Sequence, residues 1–452
     1  MALSVVILAA GKGSRMHSAL PKVLHPLAGH ALLDHVLATA NTLSQHILVV
    51  YGYEGAQICQ HLQDTSYQLV EQKQQLGTGH AVMQALPHLS SDHQVLVLYG
   101  DVPLITPSTL QQFIAQVPTG AIGLLTAIVE HPHGLGRIIR DEQQNLIKVI
   151  ESKDATPQQL QIKEINSGIL LAPAALLSHY LPKVTANNQQ HEYYLPDIIP
   201  AALANGIQVI GHCIEKPAEV MGINDRIQLT QAERYYQQQA VQHLQQHGVT
   251  VLDPKRLDIR GTVQHENDIT IDANVILEGQ VILGKNCHIG ANSILRNVTL
   301  GENVIIHPFS FIDGAIIGAH AQIGPYARIR PDTHISEHAK VGNFVEVKKS
   351  TLGQHSKVNH LSYIGDANIG SHVNIGAGTI TCNYDGRQKH TTTIENNVFI
   401  GSNTALIAPV TIGEHAVIGA GSVISKDAPA AQLTLARAQQ KSIGRWPRKE
   451  MD

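Results

Sequence analysis

A glycine-rich segment near the start of the chain carries the first residues that could do chemistry. Residues 8–16 read LAAGKGSRM and follow an apolar run that is typical of a buried strand. A glycine-rich turn after a first strand lets backbone N–H groups approach a phosphate closely, and Arg15 with Lys22 adds positive charge for a triphosphate. An ordinary turn between a strand and a helix is the alternative, but it needs neither the basic residues nor the Pro-Lys pair at 21–22. The segment therefore predicts a triphosphate site.

A single carboxylate, Asp101, is the second candidate. It lies in LVLYGDVPL, just past the carboxyl end of a strongly apolar strand. Open α/β sheets bind ligands at that edge. Mg²⁺ takes one or two protein carboxylates and shares the phosphates of its substrate, so the position suits a magnesium ligand. Taken alone, Asp101 could equally cap the following turn.

A third candidate is the segment EQKQQLGTGHA around residue 72. Gly77 and Thr78 form another turn that would expose backbone groups, and Gln72 offers an amide of the kind that can read the edge of a base. The segment by itself is weak support for a base-binding site.

These candidates lie in a part of the chain that alternates between strand-like and helix-like stretches. Apolar runs such as SVVILAA, HILVVYG and AIGLLTAIV are separated by stretches with helical spacing. The alternation favours an α/β domain with a mostly parallel sheet wound on both faces. A helix is predicted over 225–247, because apolar residues recur at helical spacing and Gly248 follows as a C-terminal cap. We therefore expect a first domain over 1–226, a linker helix over 227–247 and a second domain with a C-terminal tail over 248–452.

The second half of the chain carries an apolar ladder with a period of six residues, which neither a helix nor an ordinary strand has. Its rungs are Ile271, Leu277, Leu283, Ile289, Leu295, Leu300, Ile306, Ile312, Ile317, Ile323, Ile329, Ile335, Val341, Val347, Leu352, Val358 and Ile364, then, after an interruption, Ile394, Ile400, Leu406, Ile412, Ile418 and Ile424. Such a hexapeptide repeat is the signature of a parallel β-helix, in which each short strand points one branched side chain into a common core. A purely structural spacer is the alternative, because solenoids often serve only as platforms.

Composition limits the partners that the chain can have. Its 452 residues carry a net charge of −4, so we expect no binding of nucleic acid and no binding to a membrane surface. The four cysteines lie far apart, which argues against a disulfide framework and a zinc site and fits a reducing cytoplasm. The apolar start of the chain lacks a basic leader and is interpreted as a buried strand, and no apolar run is long enough to span a membrane.

Motifs along essentially the whole chain resemble one known family, the bacterial bifunctional N-acetylglucosamine-1-phosphate uridylyltransferase/glucosamine-1-phosphate N-acetyltransferases. In the first half, LAAGKGSRM, QLGTGHA, LYGDVPL, GRI, IESKDA, EINSGI and GIN match the family pattern in order. In the second half, RIRPD, VGNFVEVKKS, NHLSYIGDA, NIGAGTITCNYDG and IGSNTALIAPV match its β-helix. Ser14 and Ser167 stand where Thr is common in the family, and both keep the hydroxyl.

The resemblance implies a first site, in the N-terminal domain, that transfers uridylyl from UTP to N-acetylglucosamine 1-phosphate with Mg²⁺ and releases pyrophosphate. By similarity, the uridine and phosphate contacts would be Leu8, Ala9, Ala10, Gly11, Arg15, Lys22, Gln72, Gly77 and Thr78. The rest of the sugar-nucleotide site would be Tyr99, Gly100, Asp101, Gly136, Glu151, Asn166 and Asn224, with Asp101 and Asn224 as the metal ligands. No protein base is required, because the attacking phosphate oxygen is already anionic.

The resemblance implies a second site, in the β-helix, that transfers acetyl from acetyl-CoA to glucosamine 1-phosphate. The attacking amine must lose a proton, and His360 in the motif NHLSYIGDA is the implied base. The sugar phosphate would be held by Arg330, Lys348, Tyr363, Asn374 and Lys389, and acetyl-CoA by Ala377, Asn383, Tyr384, Ser402, Ala420 and Arg437. Lys389 lies in the interruption of the ladder, where a loop that leaves a regular solenoid tends to carry function. The neighbouring Lys349 is expected only to face solvent.

Two structural features are implied by the resemblance alone. One is a left-handed coil for the β-helix, although the general rule for parallel crossovers would favour the right hand. The other is a homotrimer with acetyltransferase sites between subunits. The product, UDP-N-acetylglucosamine, would feed cell-envelope synthesis in a bacterium.

Two alternatives remain from other classes of protein. One is a monofunctional sugar-1-phosphate nucleotidyltransferase whose β-helix only assembles or regulates, which His360 and Lys389 argue against. The other is a catalytically silent assembly or sensor subunit, which the presence of Arg15, Lys22 and Asp101 argues against.

Overall fold

The computed structural model describes residues 2–132 and 134–444. The chain divides into two compact units, Met1–Tyr236 and Gln237–Asp452. Residues 445–452, which belong to the expected C-terminal tail, lie outside the described residues. Among the helices in the described part of the chain, none is long and apolar enough to cross a lipid bilayer.

The first unit is an α/β domain built on a central sheet. Its strands are β1 (Leu3–Ala9), β2 (Pro26–Leu27), β3 (His30–Ala31), β4 (His46–Tyr51), β5 (Gln68–Glu71), β6 (Gln94–Tyr99), β7 (Ile122–Ile128), β8 (Arg137–Arg140), β9 (Leu146–Ile150), β10 (Glu164–Pro173) and β11 (Val209–Ile214). Its helices are α1 (Leu32–Asn41), α2 (Gly55–His61), α3 (Thr78–Ala85), α4 (Pro107–Gln116), α5 (Ala174–Tyr180) and α6 (Ile198–Ala204), and α7 (Arg226–Gln246) follows.

The sheet combines a parallel half with a reversed strand. The order is β11-β7-β10-β6-β1-β4-β5, and the strands from β6 through β1 and β4 to β5 are parallel, as the alternating pattern predicted. β10 is antiparallel to both of its neighbours in that order, β6 and β7. The β8–β9 hairpin attaches to β10, so the sheet departs from the parallel prediction at β8, β9 and β10.

The core of this unit lies on both faces of the sheet. Along β1, Val5 and Ile7 enter one buried cluster, whereas Val6 and Leu8 enter the other. Successive side chains of a strand point to opposite faces, so a strand that is covered on both sides needs an uninterrupted apolar run. This is the reason why the first residues of the chain are continuously apolar.

The helix α7 begins and ends with local signals in the sequence. Near its start, the Asp225 carboxylate accepts a hydrogen bond from the Gln228 N–H at 2.8 Å. Gly248 follows the last turn with φ near +90°, a conformation that glycine adopts without strain. The helix is observed over Arg226–Gln246, where the sequence predicted a helix over 225–247.

The second unit is a parallel β-helix. Its strands are β12 (Val249–Val251), β13 (Leu257–His265), β14 (Ile269–Ile271), β15 (Val275–Leu283), β16 (His288–Ile289), β17 (Ile294–Leu300), β18 (Ile305–Ile306), β19 (Phe311–Asp313), β20 (Ala315–Ile317), β21 (Gln322–Ile323), β22 (Arg328–Ile329), β23 (Thr333–Ile335), β24 (Lys340–Asn343), β25 (Glu346–Lys348), β26 (Thr351–Leu352), β27 (Lys357–His360), β28 (Tyr363–Gly365), β29 (Ala367–Ile369), β30 (Asn374–Ile375), β31 (Ile380–Cys382), β32 (Thr392–Ile394), β33 (Phe399–Ile400), β34 (Ala405–Ile407), β35 (Val410–Ile412), β36 (Val417–Ile418), β37 (Val423–Ile424) and β38 (Leu433–Thr434). From β18 onward, nearly every strand pairs in parallel with the third strand along the chain, which makes three faces that repeat once per coil. The handedness implied by the resemblance stays a prediction.

The predicted rungs form the core of the β-helix. Every one of them is at most 2% exposed, and together they form one continuous buried cluster. Each buried Val, Leu or Ile contributes roughly 1.5–3 kcal/mol, so the stack stabilises the unit with few aromatic residues. The ladder also continues past Ile364 through Ile369, Ile375 and Thr381, which the sequence reasoning missed. The true interruption is therefore shorter and lies between Thr381 and Ile394.

Candidate active sites

The first candidate site is a cleft at the carboxyl end of β1. Its volume is about 420 Å³. Ten of the predicted residues line it: Leu8, Ala9, Ala10, Gly11, Lys22, Gln72, Gly77, Thr78, Tyr99 and Asp101. These residues come from the ends of parallel strands and the turns after them, which is where open α/β sheets place ligands. Most of them lie at or near the end of a strand, where a local motif can mark them, whereas Lys22 lies on the short 3-10 helix Lys22–Leu24.

Three predicted residues lie close together here: Lys22 and Asp101, which line the cleft, and Asn224. The Lys22 ammonium forms an ion pair with Asp101 and lies 3.2 Å from Asn224 Oδ1. The backbone also connects them, because the Ile223 N–H donates to the Asp101 carbonyl at 2.9 Å. Asp101 and Asn224 thus present two oxygen donors to one cation. Mg²⁺ prefers oxygen ligands, so the pair fits a magnesium ion that shares substrate phosphates.

Arg15 stands apart from the residues that line the cleft. It lies on the short 3-10 helix Ser14–Met16 and its side chain is exposed. Gly13, just before this helix, has φ near +58° and lies against the Lys22 side chain, which shows how closely the glycine-rich turn packs. The turn therefore brings Lys22 into the cleft and leaves Arg15 at the surface.

The predicted sugar residues surround one bulged region of β10. The Asn166 N–H donates to the Gly136 carbonyl at 2.9 Å, and the Gly168 N–H donates to Asn166 Oδ1 at 2.9 Å. A side chain at Gly136 would lie 3.0 Å from the Glu151 carboxylate, and one at Gly168 would lie 2.6 Å from the Tyr99 ring. Gly136, Glu151, Asn166 and Tyr99 are thus brought together, and the two glycines leave room for the side chains around them.

Glu151 has an unusual electrostatic environment. Burial raises the pKa of its carboxyl to about 7, and the nearby carboxylates of Asp197, Asp154 and Glu192 add to the shift. Perturbed carboxyls of this kind cluster at functional sites. Burial likewise raises the pKa of the Tyr99 hydroxyl above its usual range, so this group stays protonated at neutral pH.

The structure adds residues to the cleft that the sequence reasoning missed. They are Lys12, Val23, Gln75, Ala81 and Glu192. Lys12 and Gln75 lie inside motifs that were already singled out, so their polar side chains could have identified them as candidate binding residues. Glu192 gave no signal, because the segment that carries it reaches the turn at 76–79 only through tertiary contacts such as the Gly79 N–H to Tyr193 carbonyl bond of 2.7 Å.

The second candidate site begins at His360 on β27. Its Nδ1 lies 2.8 Å from Oδ1 of Asn343, which is the residue paired with it on the previous coil. A carbonyl oxygen only accepts, so this contact needs the proton on Nδ1 and leaves Nε2 of a neutral ring with a free lone pair. The arrangement is that of an oriented general base. Asn343 was missed, although its spacing of one coil from His360 could have revealed it.

Three of the predicted acetyl-CoA residues occupy the same place in their coils as His360 does, so they form a line along the β-helix. Residues Ala377, Ser402 and Ala420 each follow a rung by two positions on successive coils, as His360 does. Glycine follows the rung directly at positions 376, 401 and 419, so these three positions carry no side chain, and the Leu435 side chain lies against Gly419. Arg437 Nη1 donates to the Ala420 carbonyl at 2.7 Å. Adjacent strands lie about 4.8 Å apart, so the line extends about 14 Å from His360 and suits an elongated ligand.

The predicted sugar-phosphate cations form a charged cluster on the neighbouring face. Lys348 lies 3.2 Å from the Asp366 carboxylate, which also accepts a hydrogen bond from Asn383. Burial alone would raise the pKa of Asp366, but these two hydrogen bonds hold it below its usual value. The nearby Lys348 lowers the pKa of Lys389, because the two cations are close together. A further anion would relieve this crowding of positive charge.

The loop between Thr381 and Ile394 positions part of this cluster. Tyr384 and Lys389 face each other across an antiparallel bridge, and the His390 N–H donates to the Asn383 carbonyl at 2.8 Å. Lys389 lines a cleft of about 410 Å³ together with Asp366 and Lys349. Lys349 is exposed, as expected, but it also contributes to this cleft.

The other predicted residues of this site lie on neighbouring coils. Arg330 forms an ion pair of 2.9 Å with Glu346, and the Tyr363 hydroxyl lies over Gly365, where a side chain would clash with it. Asn374 lies on β30, beside Lys357 of the previous coil. Tyr384 is 60% exposed, so one side of the site is open to solvent in a single chain.

Comparisons with known proteins agree with this division of the chain. The family models that match are the MobA-like NTP transferase domain over residues 5–157, the GMPPB C-terminal domain over 259–333 and the bacterial transferase hexapeptide (six repeats) over 391–426. Two relatives, both named bifunctional protein GlmU, come from Marinobacter nauticus and Janthinobacterium sp.. They are 49% and 48% identical over 447 residues, covering 99% of this chain and 98% and 99% of their own lengths. A solved nucleotidyl transferase from Methanothermobacter thermautotroptrophicus is 20% identical, and the match covers 52% of this chain and 97% of that chain with a TM-score of 0.37.

Proposed function

Because the chain belongs to the family of bifunctional GlmU proteins, we propose that it makes UDP-N-acetylglucosamine by two successive transfers. Acetyl passes from acetyl-CoA to glucosamine 1-phosphate in the β-helix, and uridylyl then passes from UTP to N-acetylglucosamine 1-phosphate in the α/β domain. The observation that carries this proposal is the match of the full length of the chain to proteins that are named bifunctional.

In the uridylyl transfer, the chain mainly positions charged groups. The segment at 8–11 offers backbone N–H groups to the nucleotide, and Lys22 neutralises phosphate charge. Arg15, whose side chain is exposed and does not line the cleft, would turn toward the phosphates on binding. The oxygens of Asp101 and Asn224 would hold Mg²⁺, which when bound neutralises phosphate charge. A phosphate oxygen of the sugar attacks the α-phosphorus of UTP, a new P–O bond forms, and the bond to the departing pyrophosphate breaks.

The sugar in this transfer would lie among the residues around the β10 bulge. Glu151, Asn166 and Tyr99 supply acceptors and donors for hydroxyl and acetamido groups, and Gly136 keeps the site open. Gly100, Gln72, Gly77 and Thr78 complete the nucleotide side. We include Glu192 and Gln75 on the same grounds, because both line the cleft.

In the acetyl transfer, His360 acts as the general base. Nε2 takes a proton from the attacking amine of glucosamine 1-phosphate, and Asn343 keeps the ring oriented through Nδ1. The amine nitrogen bonds to the thioester carbon, the C–S bond breaks, and the thiolate of CoA leaves. Lys348, Lys389 and Arg330 would pair with the sugar phosphate, assisted by Tyr363 and Asn374.

Acetyl-CoA would lie along the line from His360 to Ala420. Ala377, Ser402 and Ala420 offer a surface of small residues, and Arg437, Asn383 and Tyr384 flank it. The hexapeptide repeats support a homotrimer, in which a second chain would close the open side of this site. A cytoplasmic location agrees with the free thiols of all four cysteines.

One experiment separates this function from a monofunctional nucleotidyltransferase. Pure protein is incubated with glucosamine 1-phosphate, acetyl-CoA, UTP and Mg²⁺, and a parallel reaction lacks acetyl-CoA. Mass spectrometry should find UDP-N-acetylglucosamine only when acetyl-CoA is present. A product that never carries an acetyl group would mean that the β-helix is a scaffold.

A further inference from the structure

One corner of the β-helix carries a stack of histidine rings that neither proposed transfer uses. We call it the histidine column and define it as His320, His338, His355 and His372. Consecutive rings are stacked with centroids 4.6, 4.8 and 4.9 Å apart and planes within 16° of parallel. The four residues occupy the same corner of consecutive coils, all with φ between +57° and +60°. The coil itself therefore fixes their spacing.

The backbone at this corner is held in register by hydrogen bonds between coils. The His338 N–H donates to the Ala319 carbonyl at 2.9 Å, and the His355 N–H donates to the Glu337 carbonyl at 3.1 Å. Each imidazole is thus attached to a rigid repeat, while its ring remains partly exposed. The side chains of His320 and His338 are 39% and 40% exposed, so their rings can turn toward a ligand.

Carboxylates lie beside the first two rings of the column. Nε2 of His338 is 3.2 Å from Oε1 of Glu337, and Nε2 of His320 is 3.9 Å from Oε1 of Glu302. The ligand atoms of His320, Glu337 and His338 all lie within 4.8 Å of one another. Two imidazoles and one carboxylate are a common set of ligands for zinc in proteins.

We propose that His320, Glu337 and His338 form a binding site for a divalent transition-metal ion of the zinc type. Zn²⁺ binds imidazole nitrogen at about 2.0–2.1 Å and carboxylate oxygen at about 2.0–2.2 Å, so ligand atoms of a tetrahedral site lie about 3.3 Å apart. The ligand atoms of His320, Glu337 and His338 would reach this distance from one another if their exposed side chains rotated. Glu302, whose Oε1 lies 3.9 Å from His320 Nε2, would help to orient this ring.

The fourth ligand in this site is the ring of His355 or a water molecule. His355 stacks on His338 at 4.8 Å, so it is the next imidazole within reach. The site differs from the magnesium centre at Asp101 in its chemistry, because imidazole nitrogen favours zinc-type ions whereas Mg²⁺ favours oxygen.

Two lysines beside the histidine column could attract an anion to the same place. Lys340 and Lys357 line a cavity of about 450 Å³ together with the histidine column. Their ammonium groups would attract an anion such as phosphate and would repel a metal ion. The test therefore includes both Zn²⁺ and inorganic phosphate as probes.

The test is isothermal titration of Zn²⁺ into metal-free, full-length protein and into single variants. His320→Asn and His338→Asn remove a ligand, and Asn suits the corner because Asn303 and Asn397 already occupy it with φ of +57° and +60°. His415→Asn is the matched control, since His415 has φ of +60° at the same corner but lies outside the metal-binding group. Both transfer activities report that each variant is folded.

We expect about one tight Zn²⁺ per chain in the unaltered protein and in His415→Asn. Loss of one ligand should weaken binding at least about tenfold, because even indirect partners of a metal contribute about 10–100-fold. Co²⁺ should give visible absorption bands in the unaltered protein that His338→Asn alters. Equal Zn²⁺ affinity in all four proteins would overturn the proposal, and so would a groove that binds phosphate but not Zn²⁺.

Discussion

The orientation of His360 decides how the second site can remove a proton. Asn343 holds the ring through Nδ1, so in the proposed mechanism Nε2 is the nitrogen that would meet the substrate. A base in this position typically contributes about 10²–10⁴ in rate. We therefore expect His360→Ala to reduce kcat of acetyl transfer by that factor and to leave uridylyl transfer unchanged, as measured by separate assays of the two products.

A matched control for His360 lies on another face of the β-helix. His334 is an exposed histidine on β23, outside the proposed site, so His334→Ala should leave both activities intact. Asn343→Ala should lower kcat of acetyl transfer less than loss of the base does. Equal loss of both transfers in His360→Ala would contradict its role as a base.

Glu151 makes the stability of the free protein depend on pH. Its pKa is about 7 in the folded state against an ordinary value of 4.5, so ionisation is disfavoured in the native protein. The loss of stability caused by ionising Glu151 in the folded protein is absent below pH 4.5, grows between pH 4.5 and 7, and is complete above pH 7. Glu151→Gln should therefore raise the free energy of unfolding at pH 8, by about 3 kcal/mol at most, with little effect at pH 4.5.

Calorimetric melting at the two pH values measures this difference. Asp141→Asn is a suitable control, because the pKa of the exposed Asp141 carboxyl is lowered by its hydrogen bond with Asn145, the opposite direction to Glu151. Glu151→Gln should lose uridylyl transfer, since the neutral amide cannot replace a carboxylate that accepts hydrogen bonds from the sugar. A gain in stability of the same size at both pH values would rule out ionisation of Glu151 as the cause.

The place of a single residue in the candidate site could be predicted from the sequence where the residue belongs to a local motif. Asp101 follows the end of β6 and Lys22 belongs to the Pro-Lys pair after the glycine-rich segment, and the structure brings them together with Asn224. Glu192 could not be found in this way, because its place in the cleft depends on how a distant segment packs on the turn at 76–79.

At the scale of elements, the loop between Thr381 and Ile394 carries residues of the proposed site, whereas the strands of the β-helix pair without it. On this face, Thr351 pairs with Asn368, which is 17 residues later, whereas Asn368 pairs with Thr393, which is 25 residues later. The loop therefore adds about eight residues to one coil. Pairing resumes in register directly after it, with Thr392 beside Ala367.

Deletion of residues 384–391 should restore the ordinary coil length. We expect the β-helix to remain folded by circular dichroism and uridylyl transfer to continue, while acetyl transfer is lost with Tyr384 and Lys389. Lys389→Ala should mainly raise KM for glucosamine 1-phosphate, because it removes one cation from the phosphate site. Near-normal acetyl transfer after the deletion would exclude the loop from the site.

The elements also show where pattern reading fails. The six-residue period predicted the rungs from Ile271 to Ile364 and from Ile394 to Ile424, because a coil must point one side chain inward at each strand. It missed the continuation through Ile369, Ile375 and Thr381, since a polar rung followed by a loop breaks the visible pattern. The antiparallel course of β10 was missed as well, because strand direction leaves no mark in the apolar pattern.

At the scale of the whole molecule, the two units have separate hydrophobic cores. The cluster that fills the β-helix begins at Val241, whereas the two clusters around the central sheet end at Val220. Each compact unit also carries the proposed residues of one of the two transfers. The sequence predicted a second domain from residue 248, because the apolar spacing changes from that of alternating strands and helices to a period of six residues, whereas the division between the two compact units lies within α7 at 236–237. The handedness of the coil and the trimer rest on resemblance, since side-chain periodicity is the same for either hand.

Separate cores imply that each transfer can be lost without the other. Asp101→Asn should abolish uridylyl transfer and leave a protein that converts glucosamine 1-phosphate only to N-acetylglucosamine 1-phosphate. His360→Ala should do the reverse. Mixed in one tube with acetyl-CoA, UTP and Mg²⁺, the two variants should again make UDP-N-acetylglucosamine, because the acetylated intermediate leaves one protein and binds the other. Mass spectrometry of each variant alone and of the mixture measures this. A mixture that makes no product, while each variant keeps its remaining activity, would mean that the intermediate passes between sites without release.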